Sequence, residues 1–186
     1  DLLDKKYLRE RLAQTLEHKN KIITKIYGKP ALSLGEIYKQ YCEYADRWAP
    51  HIRDTSAVLA AALARNEPVL LEGAQGVLLD PDFGTYPFGT SSSPMAAGAC
   101  LGAGIPPNKL THIIGVYKAF QTRVGAGPMP TQLNDEIGEM IRERGHEYGT
   151  VSGRPRSCGW FDAVAARFSA RINGFTSIVI TRLDIR

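Results

Sequence analysis

The chain has 186 residues, 44% of them hydrophobic and 23% charged, and carries a net charge of +4. That length supports one sizeable core, and no stretch reaches the roughly eighteen consecutive apolar residues of a membrane span. The positive balance is mild and no segment alternates basic with aromatic residues, which gives no support to a nucleic-acid surface and points to small anionic ligands held by local arginines.

The opening "DLLDKKYLRERL" is charged from its first residue, so it does not read as a signal peptide, and the missing Met suits a fragment. Leu8, Leu12, Leu16, Ile23 and Ile26 form a helical apolar stripe that Gly28 and Pro30 end. Ser33 and Glu36 have capping-box spacing for a second helix, along which Leu34, Ile37, Tyr38, Tyr41, Ala45 and Trp48 continue the stripe to Pro50. Its aromatic members read as core or interface rather than a stacking box. A third helix, near Thr55 to Arg65, turns Val58, Leu59, Ala62 and Leu63 inward. The three cysteines, Cys42, Cys100 and Cys158, lack CxxC or His-cluster spacing and read as reduced thiols of a cytoplasmic protein.

After Pro68 the texture changes. "PVLLEG", "THIIGVYKAF" and "TSIVITRLD" read as buried strands separated by helical stretches, the βαβ signature of a parallel sheet. Ser93 and Pro94 suit the start of a helix running through Leu101. "NDEIGEMIRERG" has acids in its first turn and arginines in its last, which suits the helix dipole. A last helix buries Trp160, Phe161, Val164, Phe168 and Ile172 and stops at Asn173-Gly174. The fold class is therefore α/β, a mostly parallel sheet with flanking helices. A helical segment spans 1–67, and an α/β portion spans 68–186.

Ligands of open parallel sheets sit beyond the carboxyl ends of the strands. After the first strand comes "EGAQG", without the lysine of a phosphate loop or the spacing of a dinucleotide fingerprint, which argues against an oxidoreductase. Gln75 donates and accepts at once, so it suits either a nucleobase edge or the backbone of its own turn. After the second strand, Arg123 either meets an anion or pairs with a carboxylate. After the third, "TRLD" either reads guanine, whose two ring N–H donors one carboxylate accepts, or simply turns the chain. "GTVSGRPRSCGW", residues 149 to 160, sets two arginines on a loop without nearby acids: an anion clamp, or else a solvated loop.

Together, "EGAQGVLLDPDFGTYPFGTSS", "GVYKAFQTRVGAGPMPT", "GTVSGRPRSCGWFD" and "TRLD" resemble the adenylosuccinate synthetase family in order and spacing, over nearly the whole chain and most strongly from Val69 onward. The resemblance implies a partial P-loop-NTPase-like fold and a GTP-dependent ligation of IMP and L-aspartate. By position it implies IMP contacts for Gln75, Thr90, Val124 and Arg154. The loop Thr150, Val151, Ser152, Gly153, Arg154, Pro155 and Arg156 matches the segment that closes on aspartate. Arg156, Arg182, Leu183 and Asp184 match residues that meet GTP. This sequence departs from the family's usual lysine at Arg182, its more frequent valine at Gly89, and its threonine-rich loop at Val151 and Ser152.

The family's phosphate loop, catalytic aspartate and histidine, and magnesium site match nothing here, so the resemblance implies no catalytic residue and no metal ligand within this chain. It further implies Mg2+ bound outside the chain, a homodimeric full-length enzyme, and inactivity of the chain by itself. A non-catalytic GTP-binding module is the alternative. No nucleic-acid or membrane partner is expected.

Overall fold

Helix α1, Lys5–Lys25, begins where the carboxylate of Asp4 accepts the Tyr7 backbone N–H at 2.9 Å. In this computed structural model, which describes residues 1–150 and 153–185, the chain divides into two compact units, Asp1–Asp54 and Thr55–Arg186. The first is a helical hairpin of α1 with α2, Leu34–Trp48. Leu8, Leu16 and Ala45 supply its buried apolar residues. The Asn20 side chain closes the connection, donating to Leu32 O at 3.0 Å and accepting from Leu32 N at 2.8 Å. Ser33 caps α2 by accepting from Glu36 N at 3.4 Å. Ile26, Tyr41 and Trp48 are exposed, so the buried stripe is narrower than the spacing predicts. Ile26 lies just past the last helical turn, and two paired helices cover only a narrow seam of each other.

The second unit starts with α3, Thr55–Ala64, of which Val58 is exposed, contrary to the inward face expected. "PVLLEG" is not a strand: no described segment runs beside it to complete a ladder, and Leu70 is exposed. The strands are β1, Ile114–Lys118; β2, Phe120–Arg123; β3, Ser157–Trp160; and β4, Ser177–Thr181. β1 and β4 pair in parallel with Gly115 opposite Ile178 and Lys118 opposite Thr181. β2 and β3 pair antiparallel with Phe120 opposite Trp160. The α/β class stands, but the second apolar run breaks at Ala119 into strands of two different sheets, with Ala119 N on Thr181 O at 2.9 Å as the last link to β4. β4 is exposed throughout rather than buried.

Helix α4, Ala96–Ala103, is capped differently from the sequence expectation. Met95, not Ser93, is its N-cap, and the Ser93 hydroxyl turns away to Asp80 Oδ2 at 2.6 Å. The vacated role passes to Asn173, which accepts the Ala96 N–H at 2.8 Å from 77 residues away. Asn173 is the buried last residue of α6, Ala163–Asn173, and Gly174 ends that helix at φ 65°. Trp160, Phe161 and Val164 are exposed rather than under α6, with Trp160 in β3. Helix α5, Glu136–Gly145, is capped by Asp135, and its reversal falls on His146 at φ 50°. Phe120, Ile141 and Cys158 form the buried cluster, with Leu133 and Ile185 packed on it. Burial pushes the Cys158 thiol up, so it is a core residue with little thiolate character. All three cysteines are free.

Candidate functional site

The parallel register of β1 and β4 brings their carboxyl ends to one edge. Beyond β4, Arg182 sits in the left-handed region at φ 61°, and a turn closes with Ile185 N on Arg182 O at 3.4 Å. Leu183 and Asp184 form the exposed tip of that turn, held by Ile185 in the core cluster. A non-glycine residue at positive φ costs roughly 1–3 kcal/mol and persists only where its surroundings impose it. Gln75 adopts the same conformation, at φ 61°, at an exposed position. Both are residues that the sequence picked out.

Residues 76–94 fold into a closed loop around one carboxylate. Asp80 is 1% exposed. Its Oδ1 accepts from Asp82 N at 2.9 Å and Phe83 N at 3.0 Å, while Oδ2 takes the Ser93 hydroxyl. The Ser93 hydrogen bond, helped by the two amides, holds the Asp80 carboxyl below its usual range although burial works the other way. Thr90 is half-buried and fixed by its own N–H on Leu79 O at 2.7 Å. Arg123 pairs with no carboxylate among the described residues, contrary to one of the two sequence readings. Instead it donates from Nε to Ala126 O at 3.0 Å and from Nη2 to Phe88 O at 3.2 Å. Thr85 Oγ1, at 3.5 Å, completes its link to the Asp80 loop, and the guanidinium lies over the Phe88 ring. This strap joins the loop holding Thr90 to the loop holding Val124, which is exposed.

The arginine loop stands on a short hairpin. Tyr148 bridges Pro155 antiparallel, Arg156 N donates to Glu147 O at 3.0 Å, and Gly149 N donates to Arg154 O at 2.8 Å. Gly153 takes φ 63° and donates to Gly149 O at 2.8 Å. Thr150, Gly153, Arg154 and Pro155 are exposed. Val151 and Ser152 lie outside the described residues.

Arg156 overturns one premise of the clamp. It has an acidic partner within the chain: its Nη1 donates to Glu147 Oε2 at 2.9 Å. The other oxygen of Glu147, Oε1, receives Lys118 Nζ at 2.6 Å. Lys118 is the last residue of β1, so the arginine loop is tied to the same strand edge as the Arg182–Asp184 turn. Nothing in "GHEYG" distinguishes Glu147 from a solvated acid, because its burial comes from segments far off in the chain. Asp80 had a weak signal, an Asx-type turn former after an apolar run, but its burial was equally illegible.

Among the described residues no group of three His, Cys, Asp or Glu side chains could hold a metal ion, and the two buried carboxylates are already occupied. No helix among them is long and apolar enough to cross a membrane.

These features define an α/β protein whose loops of polar and charged residues gather at the carboxyl ends of a parallel strand pair. A family model described as adenylosuccinate synthetase matches residues 1–186. Adenylosuccinate synthetase of Dehalococcoides mccartyi strain CBDB1 is 56% identical over 185 residues, covering 100% of this chain and 44% of that protein. The Thermobifida fusca protein of the same name is 54% identical, with 100% of this chain and 43% of the relative covered. The fully ligated structure of adenylosuccinate synthetase from Plasmodium falciparum superposes with a TM-score of 0.88 at 35% identity, over 99% of this chain and 42% of that one. The chain belongs to the adenylosuccinate synthetase family, and it spans about 44% of the length of the curated relatives it matches. A more distant likeness, of fold alone, is to succinoaminodeoxyadenylate synthetase of cyanophage S-2L, with a TM-score of 0.57 at 23% identity over 67% of this chain and 38% of that one.

Proposed function

We propose that this chain is the substrate-reading portion of an enzyme that joins IMP and L-aspartate at the expense of GTP, releasing adenylosuccinate, GDP and phosphate in AMP biosynthesis. The observation that carries this reading is the meeting of Arg156 with the carboxyl edge of β1 and β4, through Glu147 and Lys118, beside the Arg182–Asp184 turn.

In the reaction, the γ-phosphoryl group of GTP passes to the 6-oxygen of IMP, and the amine of aspartate then attacks C6 and expels phosphate. Such transfers depend mainly on positioning and charge stabilisation. Gln75, Thr90 and the Val124 backbone orient IMP. The loop 150–156 covers aspartate and shields the phosphorylated base from water. Arg154 reaches IMP and aspartate, and Arg156 reaches GTP. Asp184 accepts the two ring donors of guanine, while the stem of Arg182 lies along the base and Leu183 lines the same turn. Mg2+ assists phosphoryl transfer when bound, but the described residues do not fit it, and no step here is routed through it. The acid–base groups likewise belong outside this chain, which by itself converts no IMP. The full-length enzyme is a cytoplasmic homodimer.

Asp184→Asn, in a protein of the relatives' length carrying this chain, tests the reading. The amide offers guanine one acceptor and one opposing donor, whereas xanthine carries an oxygen where guanine has its amino group. Unpaired buried donors cost about 1–3 kcal/mol, so the preference for GTP over XTP should fall by roughly ten- to a hundredfold. An unchanged ratio in steady-state kinetics makes Asp184 only a turn former.

A further inference from the structure

Glu147 is about 1% exposed, and each of its carboxylate oxygens is spent on a different cation, Lys118 at 2.6 Å and Arg156 at 2.9 Å. The cations are not buried with it: the Lys118 and Arg156 side chains are 30% and 27% exposed. One acid therefore holds two basic side chains that both reach the surface. A third, Arg142, is bonded through Nε to Arg156 O at 2.9 Å. The neighbouring Glu143 accepts from the Tyr148 hydroxyl, a neutral donor that leaves its charge in place. Lys118, Arg142, Arg156 and Arg182 thus stand against Glu143, Glu147 and Asp184 near the carboxyl edge of β1, an excess of one positive charge.

The donors point the same way. An ammonium has three N–H groups. Lys118 gives one to Glu147 and one to Thr122 Oγ1 at 2.9 Å, and among the described residues the remaining one meets no acceptor. The Nε of Arg156 is buried without a partner, so the bond to Glu147 holds this guanidinium in a pose its own donors do not satisfy. Lys118 stands opposite Thr181, the residue before Arg182.

We propose that Glu147 is a positioning residue that presents Lys118 and Arg156 together as a two-cation site for one anionic oxygen group of a substrate. Lys118 is the member that no sequence motif marks. This rests on the function proposed above, in which phosphate- and carboxylate-bearing substrates reach this edge. Both groups offer the same chemistry, and the experiment separates them.

In a protein of the relatives' length that carries this chain, Lys118→Met and Glu147→Gln are compared with the parent by varying GTP, aspartate and IMP in turn, beside melting curves. Both variants should raise the KM of the same anionic substrate roughly ten- to a hundredfold, the range of a charged hydrogen bond, with kcat changing less. Lys118→Arg should restore most of the loss. A rise for GTP or IMP identifies phosphate, and a rise for aspartate identifies carboxylate. Unchanged KM values beside a lowered melting temperature overturn the proposal and leave a structural ion triad.

A second measurement needs neither activity nor a folded variant. Amine-reactive labelling of the parent protein, mapped by mass spectrometry, should be slowed at Lys118 relative to exposed Lys109 by inorganic phosphate or by L-aspartate, titrated separately. Labelling indifferent to both anions overturns the proposal. An inactive parent in which Lys118 is still protected speaks against the ligase reading and for the anion site.

Discussion

Asp80 and Glu147 are equally buried, but Glu147 is met by two cations and Asp80 by three neutral donors. A carboxylate satisfied by hydrogen-bond donors is held ionised without a counter-charge. Because the folded-state pKa of Asp80 is lowered, its contribution is fully present above the unfolded value near 4 and is lost as pH falls through the lower folded value. Asp80→Asn keeps an acceptor for the two amides but turns a donor toward Ser93. It should destabilise by about 1.5–3 kcal/mol at pH 7, the range for hydrogen bonds to a charged group. The gap from the parent should narrow as pH drops below 4. Melting curves at pH 7 and pH 3 check this, and a gap of constant size would mean the charge contributes nothing. The same loop fixes Thr90, whose N–H is bonded to Leu79 O, in the position the proposed function uses.

Loops and helix ends are where sequence reading succeeded and failed in turn. The Ser33 cap was legible because its partner lies three residues away. Ser93 misled because its hydroxyl had a better partner in Asp80, and the actual acceptor for α4, Asn173, is remote in sequence. The Arg123 strap is another such link. A Cβ on Gly127 would stand 2.0 Å from Arg123 Nη2, and Gly127 is at φ 130°, where side chains are strained. Gly127→Ala should therefore evict the guanidinium. Both Gly127→Ala and Arg123→Met should destabilise by about 1–3 kcal/mol. The double variant should fall short of their sum by at least about 0.5 kcal/mol, because both changes remove the same strap. Urea denaturation of the three variants decides it. Strict additivity would show that Gly127 and Arg123 act independently.

Across the second unit, the β1–β4 sheet is covered on one face only at β1, and β4 is exposed on both. Gly115 and Tyr117 face α6, where Gly115 meets the Phe175 ring and Tyr117 bonds Ala166 O at 2.9 Å. Ile114, Val116 and Val179 alternate to the opposite face and are exposed, Val116 at 68%. A two-stranded sheet with a bare apolar face is poorly stabilised and prone to association. The 186-residue chain should accordingly bind an apolar fluorescent dye and sediment partly as oligomers. Val116→Lys should reduce both while moving stability by no more than about 0.5 kcal/mol, as exposed positions do. Loss of several degrees in melting temperature would instead mean the face is covered.

What the sequence determined by itself is whatever depends on neighbours a few residues apart. The helix stripes, the caps with local partners and the strand-end position of "TRLD" all belong here, because 3.6-residue periodicity and turn chemistry are local. Only the tertiary structure decided which strands pair, that the second apolar run breaks at Ala119, and that Arg156 shares Glu147 with Lys118. Those outcomes rest on hydrogen bonds and ion pairs between segments distant in the chain. Burial of a charge depends on what the fold brings to it, and a solitary glutamate in a glycine-flanked turn carries no local mark of the two cations it will hold.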